Sequence, residues 1–421
     1  MTDAARSVQR IYLVLTLLTT LAASFIWGVN TLFLLDAGLS NAEAFAANAF
    51  FSVGQVLFEV PTGVVADTRG RRFSFMLGAA TLLGATLVYL VMWNVSAPFW
   101  GWAIASAGLG LGFTFFSGAT EAWLVDALEA TGYTGDLESV FGRATMVSGG
   151  AMLVGSLLGG VIAQMTDLGV PYIVRAAMLG VTLIVAWRFM HDIGFTPDRT
   201  ASPVAAVRTV VRGAVNGGLR NAPVRWLMLA APFTTGVGFY AFYAFQPYLL
   251  ELYGDPNAYS IAGLAAAIVA GAQLLGGGLV PWVRRLFPRR THFLISGVVL
   301  SVLMLAAIGL TDNFVVALVI LTVWCLIAAI EEPMRRAFIN PLIPSAQRAT
   351  VLSFDSLMGS SGGVVIQPVL GRTADAFGYP TSYLASAAIQ ALAIPFVVLA
   401  RLTNAPSDPI KAHEPDEPPP A

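Results

Sequence analysis

The sequence is poor in charge. Only 11% of its 421 residues are Asp, Glu, Lys or Arg, less than half of the about 25% usual in soluble domains. Charge that sparse cannot cover the water-facing surface of a chain this long. Cysteine is scarce too: Cys325 alone rules out a disulfide framework. The histidines His191, His292 and His413 lie too far apart for a sequence-local metal motif, so no metal is expected. A net charge of −1 argues against nucleic acid as a partner, which favours a basic face. No Gly-rich Lys-Ser/Thr phosphate loop occurs, so no ATP site or other cofactor is expected. No nucleophile–base pair or histidine–carboxylate motif sits inside the apolar runs, and the chain is not expected to be an enzyme. What is abundant is apolar: 57% of residues are hydrophobic and 41 are glycine, which is more frequent in membrane helices than in soluble ones. This is the composition of an integral membrane protein.

A helix needs about 20 mostly apolar residues to cross the hydrocarbon core. That ruler predicts an all-α membrane protein with spans near 11–35, 43–65, 73–93, 99–125, 141–163 and 171–190. Six more follow near 226–250, 259–283, 293–311, 314–336, 350–370 and 381–402. Ala22-Ala23-Ser24 imitates a signal-peptide cleavage site, but the apolar run continues to Leu35, as an uncleaved first helix does. The divisions are a six-helix bundle over 1–190, a linker over 191–223, a second bundle over 224–402 and a proline-rich tail over 403–421, for which disorder is expected. In the linker, Val207, Val210, Val211 and Ala214 fall at helical spacing, with Arg208 and Arg212 on another face. That pattern fits either a helix on the membrane surface or a solvated linker helix. With both termini in the cytoplasm, only Arg175 and Arg372 among the 23 positive residues face away from it, as the positive-inside rule requires. The expected location is the plasma (cytoplasmic) membrane, with the chain functional as a monomer.

The halves repeat one another. Arg143-Ala-Thr-Met-Val-Ser148 opens the fifth span and Arg348-Ala-Thr-Val-Leu-Ser353 the eleventh, each followed by small residues four apart, Gly155/Gly159 and Gly359/Gly363. Both spans lead into a short loop with an acid, a glycine and a proline: Asp167, Gly169 and Pro171, then Asp375, Gly378 and Pro380. Between the second and third spans the chain reads Gly63-Val64-Val65-Ala66-Asp67-Thr68-Arg69-Gly70-Arg71-Arg72. This resembles the major facilitator superfamily, whose signature in the same loop is Gly-x-Leu-Ala-Asp-Arg-x-Gly-Arg-Arg/Lys. The match keeps Gly63, Ala66, Asp67, Gly70, Arg71 and Arg72, while Val65 and Thr68 depart from it. The resemblance implies two six-helix pseudo-repeats that rock about a central site. It also implies a cytoplasmic latch that holds the outward-open state, in which Asp67 meets the start of the eleventh helix near Arg348–Val351 and the arginines meet Asp126. Physically, Gly63 allows close helix approach, Gly70 supplies a permissive turn, and Arg71 and Arg72 serve either as latch or as positive-inside anchors. Gly155-Ser156-Leu157-Leu158-Gly159-Gly160 is similar to the Gly-Pro-x-x-Gly-Gly of drug/proton antiporters, with serine in place of proline.

An ionisable residue inside a span costs several kcal/mol and is a functional candidate by default. Glu121 has no opposite charge within a turn of its own helix and is the first proton-coupling candidate; Glu59 is the second. Glu331 and Arg335, four apart, are expected to pair at the inner gate. Asp355 sits near the inner rim, and Arg175 lies one turn into the sixth span from the outside. In the superfamily, spans one, four, seven and ten line the cavity. The resemblance therefore points to Trp27, Asn30, Thr114, Ser117, Tyr240, Tyr243, Gln246 and Trp324 as cavity candidates. Few charges and many aromatics suit a small apolar or amphipathic solute. The expected function is proton-driven export by alternating access. An uptake permease and a non-transporting receptor are the alternatives.

Overall fold

The computed structural model describes residues 2–116, 118–197, 207–208, 212 and 214–410. The linker-helix expectation over 207–214 falls largely outside the described residues, and Ser117 lies outside them too.

Eleven helical stretches among the described residues are long and apolar enough to cross a bilayer. The last, Thr350–Leu402, breaks at Gly378, whose φ of +80° suits a residue without a side chain, so twelve crossings result. The fold is the twelve-helix bundle of two six-helix pseudo-repeats. Exposed apolar side chains such as Ile104, Ile184, Leu303 and Val365 form its outer belt. Aromatic and aliphatic clusters fill each half, one built around Phe33, Tyr89, Trp102 and Tyr172, another around Tyr240, Phe245 and Tyr383.

Small residues set which helices cross closely. Side-chain carbons at Gly155 and Gly159 would collide with Ser24 and Phe25 of the first helix. In the other half, carbons at Gly359 and Gly362 would collide with Thr235 and Pro232 of the seventh. The fifth helix thus crosses the first as the eleventh crosses the seventh, which is the duplication expressed as packing.

Among the described residues, two crossings are interrupted for more than one residue. The first runs as Asp3–Trp27 and resumes as Asn30–Asp36. The fourth runs as Phe99–Thr114 and resumes as Ala119–Ala130 after Gly118, at φ +67°. A break inside the bilayer frees backbone groups that water cannot satisfy. At the first break the Gln246 side chain supplies both partners: its Nε2 donates to Trp27 O at 3.0 Å, and its Oε1 accepts from Thr31 N at 2.8 Å. The single spans read near 11–35 and 99–125 showed neither break.

The expectation of disorder from residue 403 is corrected for 403–410. This segment folds back onto the start of the ninth helix, Arg290–Leu310. Asp408 accepts from Thr291 N at 2.8 Å and Thr291 Oγ1 at 2.9 Å, capping the helix, and Ser407 Oγ donates to Phe338 O at 2.7 Å. The prolines are compatible with this because the bridge between Arg289 and Pro409 is antiparallel and isolated. Bonds run from Arg290 N to Asp408 O and from Ile410 N to Pro288 O, so no proline is asked to donate. Residues 411–421 lie outside the described residues. Asp408→Ala is expected to cost about 0.5–2 kcal/mol, the usual worth of a helix cap, and to lower the thermal unfolding midpoint in detergent. An unchanged midpoint would mean that the docked tail adds no stability.

Candidate functional site

The two faces of the bundle differ. On the face away from the arginine clusters, Asp375 accepts from Asn41 N and Ala42 N, each at 2.9 Å. It thereby caps the second helix, Asn41–Arg69, from the far end of the eleventh. Tyr379 bonds Asn41 Oδ1 at the same place. Beside it the fifth and eighth helices meet glycine to glycine: a side-chain carbon at Gly160 would come within 2.7 Å of Gly263 Cα. This face is shut.

On the basic face the second and eleventh helices stand apart. Gln55, Val56 and Glu59 of one and Leu352 to Ser360 of the other form opposite walls of a cavity of about 900 Å³. A second lobe of about 870 Å³ runs between the first, fifth and eighth helices. Tyr12, Thr16, Thr19, Phe113, Phe116 and Glu121 line both lobes. Glu121 is exposed to them and sits in the first turn of Ala119–Ala130, where the fourth crossing resumes. The positive end of that half-helix dipole lies beside its carboxylate.

Deeper in, a chamber of about 270 Å³ adjoins the second lobe and shares Ala23, Phe113, Met152 and Arg175 with it. Trp27, Phe51 and Tyr243 supply its apolar lining; Asn30, Asn48, Tyr89 and Ser106 supply polar atoms. Tyr172 OH donates to Asn30 Oδ1 at 2.8 Å, and Asn30 Nδ2 donates to Asn48 Oδ1 at 2.7 Å. Arg175, 3% exposed, donates through Nε to Thr86 Oγ1 at 3.0 Å and through Nη1 to Ala22 O at 3.2 Å.

A family profile described as Major Facilitator Superfamily matches residues 12–366. The chain belongs to the major facilitator superfamily. An uncharacterized MFS-type transporter of Methanocaldococcus jannaschii is 22% identical over 195 residues, 46% of this chain and 48% of that one, so the match spans about half the length of that relative. Solved structures share the fold. A variant of nucleoside transporter NupG superposes with a TM-score of 0.76 at 13% identity, over 93% of this chain and 99% of that one. A bacterial homolog of the human lysosomal transporter Spinster, inward-facing and occupied, gives 0.72 at 16% identity, over 98% and 100%. A D-xylose–proton symporter gives 0.64 at 15%, over 94% and 97%.

The superfamily motif sits at the parted end of the second helix. Arg71 pairs with Asp67 and reaches Asp126 at 3.7 Å, the partner expected for it. Arg72 bonds Trp187 O, and its backbone N donates to Asp192 Oδ1 at 2.8 Å. Gly70 adopts φ +108° and leaves the room in which the Asp192 carboxylate lies. Besides Arg72, which has no ion pair with Asp126 among the described residues, two further expectations do not hold in this conformation. Among the described residues, a side-chain carbon at Gly63 would meet nothing within 4 Å, so no close helix contact forms there. Among the described residues, the ion-pair partner of Asp67 is Arg71, not the start of the eleventh helix. The cavity between the second and eleventh helices accounts for both.

At the tenth helix, Phe314–Ile339, the expected Glu331–Arg335 pair is replaced. Arg335 forms a bidentate pair with Asp355 of the eleventh helix, and the pair four residues apart is Glu332–Arg336. A planar guanidinium gains more from both oxygens of one carboxylate than from a single contact along its own helix. Glu331 instead turns toward the ninth helix at Gly297.

Three of the cavity candidates, Trp27, Asn30 and Tyr243, line the inner chamber. Thr114 is buried and bonds Leu111 O. Tyr240 is buried against Ser382 at 2.6 Å, Gln246 closes the first-helix break, and Trp324 packs in the core against Phe245. Residues three apart on a helix are offset by about 60°, so Tyr243 facing the chamber turns Tyr240 and Gln246 to either side of it. The sequence singles out Arg175 as a charge inside a span and Asp375 as part of a repeated loop without a specific role for either, and it singles out nothing at Asn48.

Two outcomes follow. In a Cys325→Ser background, a cysteine replacing Asn30 is expected to react faster with an impermeant maleimide from the shut face when Asp375→Asn is added. Unchanged labelling would show that the carboxylate does not hold that face closed. Asp355→Ala is expected to destabilise by about 3 kcal/mol, and Arg335→Met with Asp355→Leu to recover most of it, because orphaning one partner of a buried pair costs more than replacing both; melting curves of the variants measure this.

Proposed function

We propose that this member of the superfamily works by alternating access and exports a small amphipathic solute in exchange for protons. The basic face lies in the cytoplasm, following the positive-inside rule. The observation that carries the proposal is Glu121: an acid inside the span, exposed in the wall common to both lobes and placed where the fourth crossing is broken. Broken helices next to a mid-membrane cavity are where transporters hold their coupling ions. Glu59 lines the same opening and is the second acid in reach of it. Protonation from one side and release to the other would bias which face is open, because a carboxylate and a carboxylic acid bond differently to the helices around them. The export direction rests on the superfamily motif together with acids that face a mostly uncharged inner chamber, and a single chain holds the whole cavity, which supports a functional monomer.

Proteoliposomes with an imposed pH gradient and a panel of radiolabelled amphipathic solutes test this reading. Glu121→Gln is expected to lose gradient-driven accumulation while retaining solute exchange at equal pH. Undiminished gradient-driven accumulation by Glu121→Gln would remove it as the coupling residue. Solute entry into intact cells without dependence on the gradient would reverse the direction in favour of uptake.

A further inference from the structure

We infer that the inner chamber recognises an anionic group, the carboxylate of an amphipathic organic acid, with Arg175 and Asn48 as its donors and the Trp27–Tyr243 side as the seat of the apolar portion. This deepens the transport reading and rests on it for the identity of the ligand as cargo.

The donor balance of the chamber leads there. A guanidinium has five N–H donors and no acceptor. Arg175 uses Nε on Thr86 and Nη1 on Ala22 O, both neutral acceptors, and no ion pair forms with it among the described residues. An arginine 3% exposed without a counter-charge is an unfavourable resident of an apolar bundle unless a ligand brings the charge. Asn48 adds a second spare donor. Because Tyr172 OH donates to Asn30 Oδ1, Asn30 must donate through Nδ2, and Asn48 must receive that bond on Oδ1. The Nδ2 of Asn48, in a side chain 7% exposed, is left with no partner. Among the described residues, none of those lining the chamber is acidic. Two donors with unused capacity and no resident anion describe a space completed by an acceptor that carries negative charge.

Size and surroundings define the rest of the ligand. About 270 Å³ is at the small end for a ligand pocket, enough for a carboxylate with one ring or a short chain. Trp27, Phe51, Phe113 and Tyr243 offer ring surface around it. Trp27 is itself held by stacking on Phe242, with ring centroids 4.5 Å apart. The adjoining lobe beside Glu121 leaves room for a longer apolar tail.

The test compares acids with their own uncharged analogues. Purified protein in detergent is titrated with indole-3-acetate and 4-phenylbutyrate, each against its primary amide and the corresponding amine, and thermal unfolding is followed, since a ligand stabilises the state it binds. The acids are expected to bind about tenfold or more tighter than their amides, the discrimination of one charge-assisted hydrogen bond, and the amines to give no shift. Arg175→Gln is expected to abolish the preference for acid over amide, Arg175→Lys to keep part of it, and Asn48→Ala to weaken it with the fold intact. Asn48→Ala keeps the test decisive if Arg175→Gln fails to fold. Equal shifts from acids and amides, a stronger shift from the amines, or no shift from any acid would overturn the inference, as would an undiminished preference in Arg175→Gln. Acid-selective binding without flux in proteoliposomes would sink the transport reading alone. Gradient-driven flux of a neutral or cationic solute, undiminished in Arg175→Gln, would sink this inference alone.

Discussion

A bilayer gives an N–H, a carbonyl or a guanidinium nothing to bond to, so the main polar interruptions of this apolar bundle draw partners from elsewhere in the chain. Gln246 closes the break in the first helix from the other half of the molecule. Asp375 and Asp408 cap the second and ninth helices from distant segments. Arg175 ties the sixth helix to the first and third through Ala22 O and Thr86. The ties of Gln246 and Arg175 are buried, while those of Asp375 lie at an exposed helix end.

These ties are distributed unevenly, and the conformation follows from that. At the shut face the halves share charge-assisted caps and glycine contacts. At the basic face the two halves hold their charges mostly to themselves: Arg71 with Asp67 and Asp126 in one, Arg335 with Asp355 in the other. A bundle with self-contained charge clusters at one end can part there without stranding a buried ion. The opening exposes Glu121 and Glu59 along the same wall, and the inner chamber lies beyond them, toward the closed end.

Much of the fold was legible in the residues. Run lengths mark twelve crossings, the arginine distribution marks one face, and the Gly63–Arg72 motif points to the superfamily. The Arg71–Asp126 contact was legible through that motif. Less of the site was. The spacing rule identified a pair four residues apart on the tenth helix and placed it one residue early, because Arg335 had a better carboxylate on another helix. A stripe of polar and aromatic residues on the seventh helix read as one surface, yet only Tyr243 reaches the chamber while Tyr240 and Gln246 serve packing and closure.

The division has a physical cause. Hydrocarbon thickness and the cost of moving arginine across it act on each segment separately, so span number, the basic face and the scarcity of buried charge are properties of the sequence alone. Which carboxylate an arginine meets, where a helix can afford to break and which donors are left over depend on how the helices are rotated against one another. Those are matters of a few ångströms and about 60° of turn. Only the tertiary structure decided them, and it was there that Arg175 and Asn48 emerged as donors without a resident acceptor.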